Sequence, residues 1–592
     1  MIASLLGALV GSVASSGAFS IPHIDYTAIL PELILIGGAL LMLAAGALSV
    51  RHLPTFAYTV LSAAAGVAAL VSGIVLWEKI HGKGRPFTAI AHALSIDGFS
   101  TAFVILSACV IIVSSFIADG YLRREGIAGP EYHALALLGA SGAMFMAAAN
   151  DFIVIFLGLE IMSIPLYVLA AMDQRRAESG EAGMKYFVLG AFSSAIFVYG
   201  IALTYGATGS TNLAQIAGYL ANNVSTNDGL LLAGMGLVLV GFLFKIAAVP
   251  FHMWTPDVYQ GAPTPATGYM AAIAKVGGFA ALLRVFFSTF HSLTATWQPV
   301  LWVVAVLTLV LGAVLGLVQR NVKRMLAYSS INHAGFILLG LQAASASGIS
   351  ASLYYVFVYA FLVLGSFAII TVIGRRGDRD HAIESYRGLA RSHPMLALAF
   401  AVLLLAQAGA PFTTGFLGKL YVVEAAVQSH SYALAVIAML TGAVAAGFYL
   451  RVVFVMYGQG SGAGARADDG AGVGAGVGSA AVPGEALAGH PELAMASAPG
   501  GALEVAPGGA GGAVASGATA TAGTLVAAPT EPDAGETAPA GAGGAPSPAR
   551  ALPFDLAPTT AVGIAVTVLF TVVLGIWPGP LFAFVHAASL LF

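Results

Sequence analysis

Charge is what this 592-residue chain lacks most: Asp, Glu, Lys and Arg together make up 9% of it, against 58% hydrophobic residues. A soluble domain carries about 25% charged residues, so composition alone makes this an integral membrane protein. Cysteine is nearly absent. The single Cys109 excludes a disulfide framework, and with it any cysteine-ligated iron–sulfur cluster or zinc site within the chain. No nucleophile elbow, zinc-binding HExxH pair or nucleotide loop stands in a supporting context. A net charge of −3 offers nucleic acid no footprint. The first twenty residues hold no Lys or Arg, the positive start a secretory signal needs, so residues 1–30 read as an N-terminal extension.

What is present is a recurrence of apolar runs. Stretches of about 20 residues, enough to cross about 30 Å of hydrocarbon, follow one another from Pro31 onward. They predict an all-α polytopic membrane protein with about fourteen transmembrane helices. Residues 31–131 hold the first three, 132–290 five more, 299–457 another five, and 553–592 the last helix with the C-terminus. Each block of five crosses an odd number of times, so the two are inverted relative to each other. In each block the fourth member is expected to be broken. Span 230–251 carries Lys245 and Pro250, and the overlong span 394–427 carries Pro411 and Lys419.

Residues 458–552 differ in kind, being rich in Gly, Ala, Pro and Ser and almost devoid of basic side chains. Such a segment buries too little surface to offset its ordering entropy and is expected to be a disordered cytoplasmic insert. Its GAGVGAG run (Gly470–Gly476) has no strand before it or helix after it, and reads as low complexity rather than a phosphate loop. Seventeen of the 24 Lys and Arg fall in loops after odd-numbered spans and four after even-numbered ones. The odd loops are therefore expected in the cytoplasm and both termini outside.

Three lysines remain: Lys245, Lys275 and Lys419 lie deep in apolar runs. A charge at membrane depth costs at least about 3 kcal/mol, which marks each as a functional candidate. Glu160, in FLGLEIMSIPLYVL, is a lone mid-span carboxylate. At about 5 Å and an effective dielectric of about 20, a Glu160–Lys245 pair would gain about 3 kcal/mol, holding the lysine charged until the two part. A static pair fixing helix register is the structural alternative. Buried lysines exchange protons readily, which suits Lys275 and Lys419 to a relay. His333, with hydroxyls beside it in AYSSINHAGF, is a shuttle candidate or a packing histidine. Lys185 reads as an interfacial anchor or a second partner for Glu160, Arg284 as an outer-end anchor, and Glu424 as a counter-charge for Lys419.

Four segments in order, LGLEIMSIPLY, FKIAAVPFHMWTPDVYQGAPTPATGYMAAIAKVGGF, QRNVKRMLAYSSINHAGF and AGAPFTTGFLGKLYV, resemble subunit N of bacterial NADH-quinone oxidoreductase, the counterpart of mitochondrial subunit 2 of respiratory complex I. The resemblance spans about Pro31–Tyr457 and the last span. It implies an antiporter-like fold with two inverted five-helix repeats and broken seventh and twelfth helices. It also implies roles: Glu160 as the fifth-helix glutamate, and Lys245, Lys275 and Lys419 as the seventh-, eighth- and twelfth-helix lysines of a hydrated mid-membrane axis. His333 matches a tenth-helix position. The family implies a proton-pumping translocase subunit with no redox centre of its own, in the bacterial cytoplasmic (inner) membrane. NADH, flavin, iron–sulfur clusters and quinone then belong to partner subunits, and the chain's neighbours are other membrane subunits, antiporter-like ones among them, and the lipid bilayer. The insert and Glu424 depart from the family pattern. A subunit of a multi-subunit sodium/proton antiporter and a passive assembly scaffold are the alternative readings, with a membrane hydrogenase subunit a lesser one.

Overall fold

A helix satisfies its own backbone in hydrocarbon, and the described residues of this chain are almost wholly helical. The computed structural model describes residues 24–48, 53–82, 84–223, 228–379, 381–458, 556–588 and 590. Most of the expected N-terminal extension and the expected insert, apart from Gly458, lie outside the described residues. The chain runs through α1 (Leu30–Leu48), α2 (Thr55–His81), α3 (Gly98–Glu125), α4 (Glu131–Ala148), α5 (Phe152–Ala170) and α6 (Ala177–Thr208). Next come α7 (Leu213–Asn222), α8 (Gly229–Lys245), α9 (Trp254–Gly261), α10 (Thr264–Arg284), α11 (Thr294–Leu317), α12 (Val322–Gln342) and α13 (Ala346–Ile373). The last six are α14 (Leu389–Ser392), α15 (Pro394–Ala408), α16 (Thr414–Gln428), α17 (Tyr432–Tyr457), α18 (Pro558–Ile576) and α19 (Gly579–Ala587). One small hairpin pairs β1 (Phe87–Ala89) antiparallel with β2 (Leu94–Ile96), Phe87 opposite Ile96.

Short polar side chains start many of these helices by accepting from free backbone N–H groups, among them Asp97, Asp151, Asp228, Asn321, Ser345 and Thr413. Among the described residues, 10 helices are long and apolar enough to cross a membrane. That is fewer than the expected fourteen for physical reasons. Helix α12 carries Ser329, Ser330, Asn332 and His333 through its middle, and α4 opens on Glu131, Tyr132 and His133. Helices α8 and α15 are short apolar pieces.

Both short pieces end inside the bundle. Helix α8 stops at Lys245, and residues 246–253, which include a cis Val249–Pro250 bond, run irregularly to α9. The interruption begins ahead of Pro250 because Ala247 takes a φ of 58°, which an α-helix cannot accommodate. Helix α15 ends at Ala408 against Gly409, whose φ is 94°, and α16 starts at Thr414 with the expected Pro411 in the gap. At the centre stands α13, buried along the whole of its most apolar 18-residue stretch. It packs against α10, α12, α15, α16 and α18.

Candidate functional site

The three mid-chain lysines and His333 sit inside this bundle rather than at its ends. Lys245 is 3% exposed, Lys275 2%, Lys419 8% and His333 2%, so none of them snorkels to an interface. At the last residue of α8, Lys245 donates through Nζ to Ser163 Oγ at 2.6 Å. The Tyr167 and Tyr186 rings lie 5.9 and 5.7 Å from the same nitrogen. Glu160, three residues before Ser163 on α5, is half-buried and accepts from Ser194 Oγ of α6 at 2.5 Å. The expected direct Glu160–Lys245 ion pair does not form: no such contact within 4.0 Å occurs, although Glu160 acts electrostatically on Lys245. The amino group is taken by Ser163 instead. A cavity of about 10 Å³ touches Lys245, Ser193 and Ser194, at the lower limit for one water molecule.

The middle of the site is held by α10, α12 and α13. Lys275 Nζ donates to Ile246 O, a carbonyl freed where α8 ends, at 2.8 Å. Gly278, one turn on, permits this approach: a Cβ there would stand 2.9 Å from Ile246 Cγ2 and 3.6 Å from Lys245 Cγ. On its other side Lys275 lies 5.6 Å from the Tyr359 ring. His333 packs on that same ring, at 5.4 Å between centroids. Its Nδ1 pairs with Tyr355 Oη at 2.8 Å and its Nε2 with Tyr449 Oη at 3.1 Å. Both Lys275 and Lys419 lie near enough to act electrostatically on the imidazole.

At the second gap Lys419 donates to Gln407 O at 2.9 Å and to Ala408 O at 2.8 Å, the last carbonyls of α15. The Phe336 ring stands 5.0 Å from its nitrogen. Glu424 is not its counter-charge. Five residues on, Glu424 lies well round the helix from Lys419 and instead accepts from Gln428 Nε2 at 3.1 Å. The Gln407 side chain turns to α12 and α13, accepting from Ser329 Oγ at 3.3 Å and donating to Ser366 Oγ at 2.7 Å. Ser329 also bonds Tyr449 Oη. None of these uncharged partners was singled out from sequence except the hydroxyls flanking His333.

Two further clusters fix the ends of α10. Arg284, expected to be an anchor, is instead buried in a two-fold bond to Asp97, with both contacts at 2.9 Å. The carboxylate lies far back in the sequence, at the cap of α3, so spacing gave no signal. At the opposite end Asp378 accepts from Thr264 N and Oγ1 at 3.1 and 2.6 Å, and pairs with Arg176, Lys323 and His381. Burial works against its charge, but Lys323, His381 and Thr264 outweigh this and hold the carboxyl well below the usual carboxylate range. Lys185 anchors to Glu181 at 2.6 Å and Asp257 at 3.2 Å and does not reach Glu160. Together with Arg176, Arg324 and Asp378 it lines a charged cleft of about 630 Å³.

Residues 149–445 match the family described as NADH:quinone oxidoreductase/Mrp antiporter, TM. NADH-quinone oxidoreductase subunit N of Trichlorobacter lovleyi is 45% identical over 381 residues, covering 64% of this chain and 78% of the relative. Subunit N 3 of Streptomyces griseus is 40% identical over 492 residues, covering 76% of this chain and 88% of the relative. A chain of respiratory complex I from Thermus thermophilus with bound Aureothin superposes with a TM-score of 0.60 at 33% identity, over 72% of this chain and 89% of the other. A chain of the Mrp complex from Dietzia sp. shares the fold, at a TM-score of 0.65 and 21% identity, over 73% of this chain and 80% of the other. This chain belongs to the NADH-quinone oxidoreductase subunit N family.

Proposed function

We propose that the chain is the proton-translocating membrane subunit of an NADH:quinone oxidoreductase, moving protons along a mid-membrane row of Glu160, Lys245, Lys275, His333 and Lys419. Leaving out the short α7, α14 and α19 and counting α8–α9 and α15–α16 as one crossing each gives fourteen crossings, with five between α4 and α10 and five between α11 and α17 forming two inverted blocks. Electron transfer belongs to partner subunits. The observation that carries the reading is the row itself. The three lysines and His333 are buried and Glu160 is half-buried, and each is held by a hydroxyl or a free carbonyl rather than by a fixed counter-charge. Such partners stabilise the charge without locking the proton in place.

Protons enter from the cytoplasm at Lys245, pass through Lys275 to His333 and Lys419, and leave outside. At the first station one water in the small cavity links Lys245 to Ser194 and so to Glu160. The electrostatic state of Glu160 then sets how tightly Lys245 keeps its proton. Quinone-coupled pumping by membranes carrying Lys245→Ala tests this: fewer protons per NADH is expected, and undiminished pumping at normal complex abundance overturns it. Purification of the native complex distinguishes the assembly, since co-purifying flavin and iron–sulfur subunits are expected and a sodium/proton antiporter set would replace them in the other case.

A further inference from the structure

Between His333 and Lys419 the hydrogen bonds have only one consistent order. Ser366 donates its hydrogen to Leu362 O at 2.9 Å, so its oxygen must accept from Gln407 Nε2. The second contact of that nitrogen, to Leu403 O at 3.4 Å, agrees, because a carbonyl can only accept. The other end of the amide is therefore the oxygen, and Ser329 must donate to it. With its hydrogen used, Ser329 accepts from Tyr449, and Tyr449 in turn accepts from His333 Nε2–H. The imidazole is thereby set as the Nε2–H tautomer, its Nδ1 accepting from Tyr355. Every donor from His333 to Gln407 points the same way, toward the residue whose main-chain carbonyl holds Lys419.

Resting on the function proposed above, we propose that Tyr449 and Ser329 are the proton link between His333 and Lys419, and that Gln407 sets its direction. A proton taken up at His333 Nδ1 makes the ring a cation, and the Tyr355 hydroxyl turns from donor to acceptor. The ring passes its Nε2 proton to Tyr449 Oη, Tyr449 passes its own to Ser329 Oγ, and Ser329, leaving Gln407, passes its own across a water molecule to the neutral amine of Lys419. One proton enters and one leaves. Each hydroxyl ends neutral, and the ring is neutral with its hydrogen on Nδ1. Rotation of the hydroxyls and exchange of the ring tautomer reset the link.

The test is the whole complex carrying Tyr449→Phe, which removes one oxygen and keeps the ring. Protons moved per NADH oxidised are measured in closed membrane vesicles, with assembled complex quantified on native gels. Pumping is expected to fall to the level of a Lys275→Ala complex. Tyr354→Phe serves as the control: it strips a hydroxyl without a hydrogen-bond partner from the adjacent residue of α13, and is expected to pump as the unaltered complex does. Normal pumping by Tyr449→Phe beside impaired Lys275→Ala overturns the link and leaves the function standing. Normal pumping by both overturns the function as well. Should Tyr449→Phe fail to assemble, Ser329→Ala carries the same expectation, and its normal pumping sinks the proposal.

Discussion

The two interrupted helices meet one need by different means. At the first, the free carbonyl of Ile246 is taken by Lys275, which arrives from the next spanning helix, while Lys245 at the very end of α8 turns away to Ser163. At the second, Lys419 belongs to the half-helix after the gap and reaches back to two carbonyls at once, Gln407 O and Ala408 O. The C-terminal end of a helix carries about half a negative charge. It can therefore hold an ammonium group where a carboxylate would bind the proton too firmly. Order along the chain pairs Lys245 with Lys419, as the lysines of the two broken spans. Backbone chemistry pairs Lys275 with Lys419 instead, as the two lysines that cap a broken helix.

The largest expected effect separates the two caps. Lys419→Met leaves two buried carbonyls without a donor and Lys275→Met leaves one, at about 1–3 kcal/mol for each orphaned group. Lys419→Met should accordingly lower the thermal midpoint of the solubilised complex further, and equal shifts would break the comparison. Next is the first gap alone, where Val249 N donates to Thr308 Oγ1 of α11 at 3.0 Å. Thr308→Val strands that amide and should cost about 1–3 kcal/mol, read from denaturant or thermal unfolding, with no effect on hydrogen exchange around residues 409–413. The smallest pair has opposite signs. Gly409→Ala puts a Cβ at a φ of 94° and 3.1 Å from Lys419 Cδ, and should cost about 1–2 kcal/mol. Ala247→Gly relaxes a φ of 58° and should gain about 0.5 kcal/mol. If both substitutions destabilise, the strain is not shared between the gaps.

The buried lysines were legible because a lysine in an apolar run stands out against its background. Their partners were not. Ser163, Ser194, Tyr449 and Gln407 are ordinary residues for a membrane helix, and a backbone carbonyl has no letter in the sequence at all. Arg284 was misread because a cation near the end of a span usually meets water, and its partner Asp97 is distant along the chain. Glu424 was misread because nearness in sequence is not nearness on a helix, where five residues are about 500° of turn. Pro411 located the second gap and Pro250 the first: the N–H that Pro250 lacks is the one that would bond Ile246 O in a continuing helix, and the chain turns to a positive φ at Ala247. The number of apolar helices came out lower than expected because α8 and α15 are short, α4 opens on polar residues, and α12 trades hydrophobicity for the polar side chains around His333.

Helix α10, which carries Lys275, is nailed down at both extremities by buried carboxylates, Asp378 at Thr264 and Asp97 at Arg284. Displacing it would tear two desolvated ionic knots, so α10 is expected to stay fixed while its surroundings move. Movement is expected instead in the unwound stretches 246–253 and 409–413, beside the bare carbonyls of Ile246, Gln407 and Ala408, where a water can take the place of a lysine without disturbing α10.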